Sequence, residues 1–121
     1  VEQAKFHIAD TLAAIISGSE LLPGKAAFRY LKSHAGKGAA TVAAARLTAG
    51  PIEAALANGV MGHADETDDS HGRSRSHPGC AVVPAALASS EHLGMDGQRF
   101  LRAVTLGYDV GTRVEQCVHC V

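Results

Sequence analysis

Apolar residues recur along most of this chain at three- and four-residue steps, the repeat of one helix face. Over residues 3–17, Phe6, Ala9, Leu12, Ala13 and Ile16 form such a row, and Gly18 stops it. A second helix is predicted from Leu21 to His34, with Pro23 in its first turn, Phe28 and Leu31 inward, and Gly36 and Gly38 beyond its end. Ala39–Ala45 (AATVAAA) reads equally as a short extended run or as helix. Pro51 suits the first position of a third helix that carries Ile52, Ala55, Leu56 and Val60 to about Ala64. Residues 80–92 resume a helical pattern in which Pro84 is tolerable only near the start. After a turn at 94–97, Asp96 can cap a last helix through Phe100, Leu101, Val104, Tyr108 and Val114. Gly107 and Gly111, one turn apart on it, permit close approach of another helix. The expectation is an all-α fold, a single helical bundle of about five helices over residues 1–121, with no internal repeat and no dividing linker.

Composition supports helices over a β-sandwich: there are 22 alanines, no Trp and 4% aromatic residues. With 46% hydrophobic and 19% charged residues the chain is globular rather than disordered. A net charge of −1 leaves no cationic excess for phosphates, which excludes nucleic acid as a main partner and a polybasic membrane patch. No apolar run approaches the roughly 20 residues of a membrane span. Val1–Lys5 lacks the basic start and apolar stretch of a secretory signal. The odd count of three cysteines fits reduced thiols, so a cytoplasmic location is expected. Cys117-Val118-His119-Cys120 has CxxC spacing but no second pair to complete a zinc site, and it reads as a frayed C-terminus.

The composition changes abruptly between Asp65 and Gly79, the one long loop. Residues 63–77 read HADETDDSHGRSRSH, which gathers Asp65, Glu66, Asp68, Asp69, His63, His71, His77, Arg73 and Arg75. One reading is an acid/base pocket for a polycarboxylate. Arg73 and Arg75 would bind carboxylates through their planar forks, the histidines would move protons near neutral pH, and Glu66 or Asp68 would hold a histidine or orient a hydroxyl. A second is a metal site with ligands drawn from residues 63, 65, 69, 71 and 77, although the spacing fits no closed zinc or EF-hand template. A third is a solvated turn whose Asp and Ser residues cap helix ends. A phosphate cradle is the weakest, because Gly72 stands alone. Within the loop His77-Pro78-Gly79 places an imidazole beside the N-terminus of the helix that follows, where the dipole attracts anions. His7, His34 and His92 read as exposed or capping residues, and Cys80 as a small apolar one.

Four blocks of residues together carry a resemblance. Asn58-Gly59-Val60-Met61-Gly62-His63, Asp65-Glu66-Thr67-Asp68-Asp69-Ser70-His71, His77-Pro78-Gly79 and Val83-Pro84-Ala85-Ala86-Leu87-Ala88 occur in this order, and Gly107-Tyr108-Asp109-Val110 with Arg113 follows. This resembles the MmgE/PrpD family, which includes 2-methylcitrate dehydratase and cis-aconitate decarboxylase. Its pattern runs roughly NG, AHALDFDDTH, HPS or HPG, VPAALALAE and GYEV. The likeness extends from Asp10-Thr11-Leu12 to about Val114.

The resemblance implies the all-helical first domain of a longer, cofactor-independent, homodimeric lyase. Such enzymes dehydrate, decarboxylate or epimerise citrate-like polycarboxylates. By position it implies catalytic roles for His77, Glu66, Ser70, Asp68 and Asp69, and no metal; the acid/base reading of the loop adds Arg73, Arg75, His63 and His71 as substrate-binding residues, with Arg73 and Arg75 in a stretch whose length varies in the family. Glu66 replaces the first Asp of the family's DFDD run and Ser70 the Thr after it, changes that alter reach. The family's second domain, with its lysines, histidine and tyrosine, has no counterpart in these residues, so little or no turnover is expected of the chain alone. The alternatives are a non-catalytic helical module that oligomerises or binds carboxylates, and a metal-binding domain using His63, Asp69, His71 and His77.

Overall fold

Five helices and a short hairpin make up the computed structural model of the chain, which describes residues 2–118. The elements are α1 (Glu2–Ser19), α2 (Leu22–His34), β1 (Ala40–Val42), β2 (Leu47–Ala49), α3 (Pro51–Gly62), α4 (Gly79–His92) and α5 (Gly97–Val118). The expected helices are therefore all present. α3 lies at the centre, against α1, α2, α4 and the hairpin. Pro51 opens it, and Asp96 caps α5 by accepting the Arg99 N–H at 2.9 Å. Of the Cys117–Cys120 motif, Cys117 is exposed on α5, while His119 and Cys120 lie outside the described residues. Among the described residues no helix is long and apolar enough to cross a membrane.

The Ala39–Ala45 ambiguity resolves into an antiparallel hairpin that pairs Ala40 with Ala49 and Val42 with Leu47. Alanine is a poor strand former, so tertiary partners hold it extended. Asn58 of α3 donates to Thr41 O and accepts from Ala43 N (2.8 and 2.9 Å). Glu91 of α4 accepts both the Thr41 N–H and its hydroxyl, each at 2.6 Å.

Two helices bury a different face from the one their apolar rows predict. On α1, Phe6 and Ile16 are 70% and 60% exposed, while Ala4, Thr11, Ala14, Ile15 and Gly18 face inward. On α3, Ile52, Leu56 and Val60 face outward, and Ala54, Ala57, Asn58 and Met61 are buried. The reason is backbone proximity. A Cβ on Gly18 would stand 1.9 Å from the Met61 carbonyl oxygen, so only a face of small residues lets α1 and α3 approach this closely. The gap is filled by Ile15 and Met61, both wholly buried, with Leu31, Val42 and Ala88 completing the cluster. A second cluster joins Ala4, Val83 and Val104, with Phe100, Leu101 and Tyr108 against it.

Pro84 sits six residues into α4 rather than near its start, and the helix continues through it. It cannot donate to the Cys80 carbonyl one turn back, and Gly59 of α3 packs against that carbonyl. Of the paired glycines on α5, Gly107 lies on Val82 whereas Gly111 faces open space.

Candidate functional site

The loop between α3 and α4 is tied at several points. Asp65 anchors its start to α1 by accepting from the Ser17 hydroxyl, and it also takes the Thr67 hydroxyl at 2.7 Å. These two hydroxyls hold its carboxyl below the ordinary value of 3.8. Further on, His71 and Ser76 pair as a single β-bridge around the turn 72–75. Within that turn His71 Nδ1 meets the buried Ser74 hydroxyl at 2.7 Å, and Ser74 reaches Ser76 at the same distance.

Asp68 forms the centre of the bend. Its side chain is fully buried, and both carboxylate oxygens lie 3.2 Å from His63 Nδ1. Its Oδ1 is also 3.4 Å from His77 Nδ1. A buried carboxylate requires donors or cations around it; here His63 hydrogen-bonds to it and His77 stands beside it. The rings lie 5.0 Å apart, centroid to centroid, and their side chains remain 48% and 37% exposed at His63 and His77. His77 Nδ1 is itself out of contact with solvent, and no aligned hydrogen bond reaches it.

The adjacent acid turns the other way. Asp69 Oδ1 accepts the Gly79 N–H at 2.8 Å, and Oδ2 accepts the Tyr108 hydroxyl at 2.8 Å. His7 stacks on Tyr108 with its Nδ1 3.4 Å from the same oxygen. Pro78, at the N-cap of α4, has no side chain that can cap, so Asp69 satisfies the helix N-terminus from ten residues back. Gly79 is required by space rather than by a turn. A Cβ there would meet Asp69 Oδ1, Thr11 Oγ1 and the Tyr108 hydroxyl, all within 2.9 Å. Its neighbour Cys80 donates its thiol to His77 O at 3.0 Å, closing the frame that seats the imidazole.

The structure thus joins His63, Asp68 and His77, and leaves the other predicted residues apart from them. Glu66 is exposed with a positive φ of 55°, and Ser70 is exposed. Arg73 and Arg75 project from the exposed turn, the latter at φ 53°. The metal-ligand set His63, Asp69, His71 and His77 is corrected: Tyr108 and Gly79 occupy Asp69, Ser74 occupies His71, and Asp68 supplies the shared carboxylate. His7, read as a surface residue, joins the Asp69 network through a stacking partner 101 residues away, which no local pattern signals. A cleft of about 650 Å³ lies elsewhere, along Gln98, Leu101, Arg102, Thr105, Leu106 and Asp109 of α5. The two imidazoles, about half exposed, face outward from the bend.

Burial, and next the Asp68 carboxylate, push the Cys80 thiol up to about 12 from its ordinary 9.0. Burial and then Asp69 also push Tyr108 above its ordinary 10.0. Both groups stay protonated in the folded chain at pH values where the unfolded chain ionises. Their contribution to stability is complete below about pH 9 and is lost as pH rises towards 12. The expected result is a urea midpoint that is flat from pH 7 to 9 and falls above it. In a Cys117→Ser/Cys120→Ser background, Cys80 should alkylate at pH 8 more slowly than it does in urea. Equal rates would show that its thiol is not held as described.

Residues 1–120 match the MmgE/PrpD N-terminal domain. The chain is also similar to the cis-aconitate decarboxylase of Aspergillus terreus and to that of its strain NIH 2624, at 27% identity over 124 residues in each case. These alignments cover 98% of this chain and 25% of each relative, so the chain spans about a quarter of the length of the curated relatives it matches. No solved structure matches it significantly. A domain match of this extent, over helices that place HPG at the mouth of the bend, assigns the chain to the MmgE/PrpD family.

Proposed function

We propose that this chain is the imidazole-bearing N-terminal part of a lyase acting on a citrate-like polycarboxylate, and that it is catalytically incomplete at this length. The family includes such enzymes, and the similar Aspergillus proteins are named as cis-aconitate decarboxylases. The observation that carries the reading is Asp68, buried between His63 and His77. Asp68 lies 3.4 Å behind His77 Nδ1, and alignment of that contact into a hydrogen bond when the site is completed would favour the tautomer protonated there and leave Nε2 as a base. In a dehydration, His77 Nε2 would take the proton α to a carboxylate. The carbon–carbon double bond forms as the carbon–oxygen bond breaks, and the departing hydroxide leaves as water after accepting a proton. Decarboxylation instead breaks the carbon–carboxylate bond, releases carbon dioxide and delivers a proton to the carbon left behind, while epimerisation removes the α proton and returns one to the opposite face, so each needs a proton carrier at carbon.

Arg73 and Arg75 offer cations to the substrate's other carboxylates, with Glu66, Ser70 and His71 along the same loop. Because the imidazole face is open, a second wall is needed to exclude water, from a second copy of the chain or from further polypeptide. The outward rows Ile52, Leu56, Val60 and Leu106, Val110, Val114 give such a partner an apolar surface, which fits a homodimer or larger oligomer. The same rows favour the second reading, a non-catalytic helical module. A reducing, cytoplasmic location fits the odd cysteine count.

Titrating citrate or cis-aconitate into the 15N-labelled, metal-free chain tests the proposal. Saturable shifts of the His77 ring nitrogens at millimolar ligand are expected, weakened by Arg73→Gln/Arg75→Gln and absent in His77→Gln. Turnover by the isolated chain should be negligible. Ring signals that ignore both acids would overturn the reading.

A further inference from the structure

We infer that His63, Asp68 and His77 form a binding site for a first-row divalent cation of the zinc type. Zinc held at about 2.0–2.1 Å in a tetrahedron sets neighbouring ligand atoms roughly 3.3 Å apart. The carboxylate–imidazole distances, 3.2 Å to His63 and 3.4 Å to His77, bracket that edge. One ligand atom from each of the three residues lies within 4.8 Å of the others. The imidazole–imidazole edge lies within the same 4.8 Å, so the two rings must draw together by up to about 1.5 Å on binding.

Hydrogen bonding alone accounts for His63 but not for His77. The latter's Nδ1 is sealed from water and lies near Asp68, yet it makes no aligned hydrogen bond. A cation shared by the carboxylate and both ring nitrogens satisfies that atom, and it neutralises a carboxylate whose side chain is wholly buried. Imidazole and carboxylate donors suit zinc, cobalt or nickel rather than calcium or magnesium. Three protein ligands on an open face leave the fourth position to water or an exogenous anion, the arrangement of exchangeable rather than closed sites. Of the other acids and histidines of the bend, Asp69 is held by Tyr108 and Gly79, His71 by Ser74 and Asp65 by Ser17 and Thr67, while Glu66 is exposed and apart from the cluster. This inference needs no substrate, and because a cation on Nδ1 requires that nitrogen unprotonated and leaves the ring proton on Nε2, the metal-bound chain and the His77 base of the lyase reading are alternative states of one site.

The test uses the untagged chain carrying Cys117→Ser/Cys120→Ser, so that thiolates at the C-terminus contribute nothing. Zinc and cobalt(II) are titrated into it after chelator treatment. One ion per chain is expected, with the intense visible bands of four-coordinate cobalt. His63→Gln and His77→Gln should each weaken zinc binding by more than about a hundredfold, and His34→Gln should leave it unchanged. A variant that loses its fold is replaced by 15N spectra of the histidine rings in the parent chain, where zinc should shift Nδ1 of His63 and His77 together. Absence of binding, equal affinity in the histidine variants, or zinc shifts confined to other histidines would overturn the inference.

Discussion

Asp69→Ala is expected to lower unfolding free energy by about 2–4 kcal/mol, because it strands two donors at once, at roughly 1–3 kcal/mol per buried unsatisfied group. The Tyr108 hydroxyl and the Gly79 N–H each lose an acceptor at 2.8 Å. Nearby Thr11 and His7 have their own geometry to keep, since Thr11 donates to His7 O at 2.8 Å. Asp69→Asn keeps an acceptor for Gly79 and lets the tyrosine oxygen accept from the new amide, so it should recover more than half of the loss. Tyr108→Phe removes donor and need together and should cost only about 1 kcal/mol. Urea unfolding with an unchanged m-value measures all three. If Asp69→Asn proves as damaging as the alanine variant, negative charge rather than acceptor geometry holds α4 and α5 to the loop. The functional consequence lies two residues before Gly79: releasing the α4 N-terminus releases His77, and zinc affinity should fall with it.

Gly18→Ala should also destabilise the fold, by about 1–3 kcal/mol net, although alanine is the better helix former by about 1 kcal/mol. Propensity loses here because the new methyl would stand 1.9 Å from a backbone carbonyl that no rotamer change can move aside. Relief requires α1 and α3 to part by more than an ångström, which opens the packing between Ile15 and Met61, both fully buried. The strain falls on the last turn of α3, directly before His63. A thermal midpoint that rises in the variant would mean that the helices are not in contact at this point. Gly97→Ala, at a site with open space around it, serves as the control.

These two positions divide what is local from what is not. The helices were legible because their punctuation is local: Pro51 and Asp96 start helices, and Gly36 and Gly94 adopt the positive φ that ends them. The polar bend was legible as well, since a run of acids, histidines and arginines cannot continue a core-facing helix. Its membership in the MmgE/PrpD family rests on the same ordered blocks.

The inward faces of α1 and α3 were not legible, whereas Leu31 of α2 and Val104 of α5 are buried as their spacing predicts. Burial on α1 and α3 is decided by how near two backbones come, and small residues win there over Phe6, Ile16, Ile52 and Leu56. The hairpin at 40–49 likewise depends on Asn58 and Glu91, distant in sequence. Within the loop, composition marked both aspartates alike. Only the tertiary structure separated them, giving Asp69 to Tyr108 across 39 residues and burying Asp68 between two imidazoles. Sequence determines which chemical groups are available along the bend, because composition is local. Their pairing is decided by the packing of α1, α4 and α5, because a buried charge takes whichever partner the fold brings within reach.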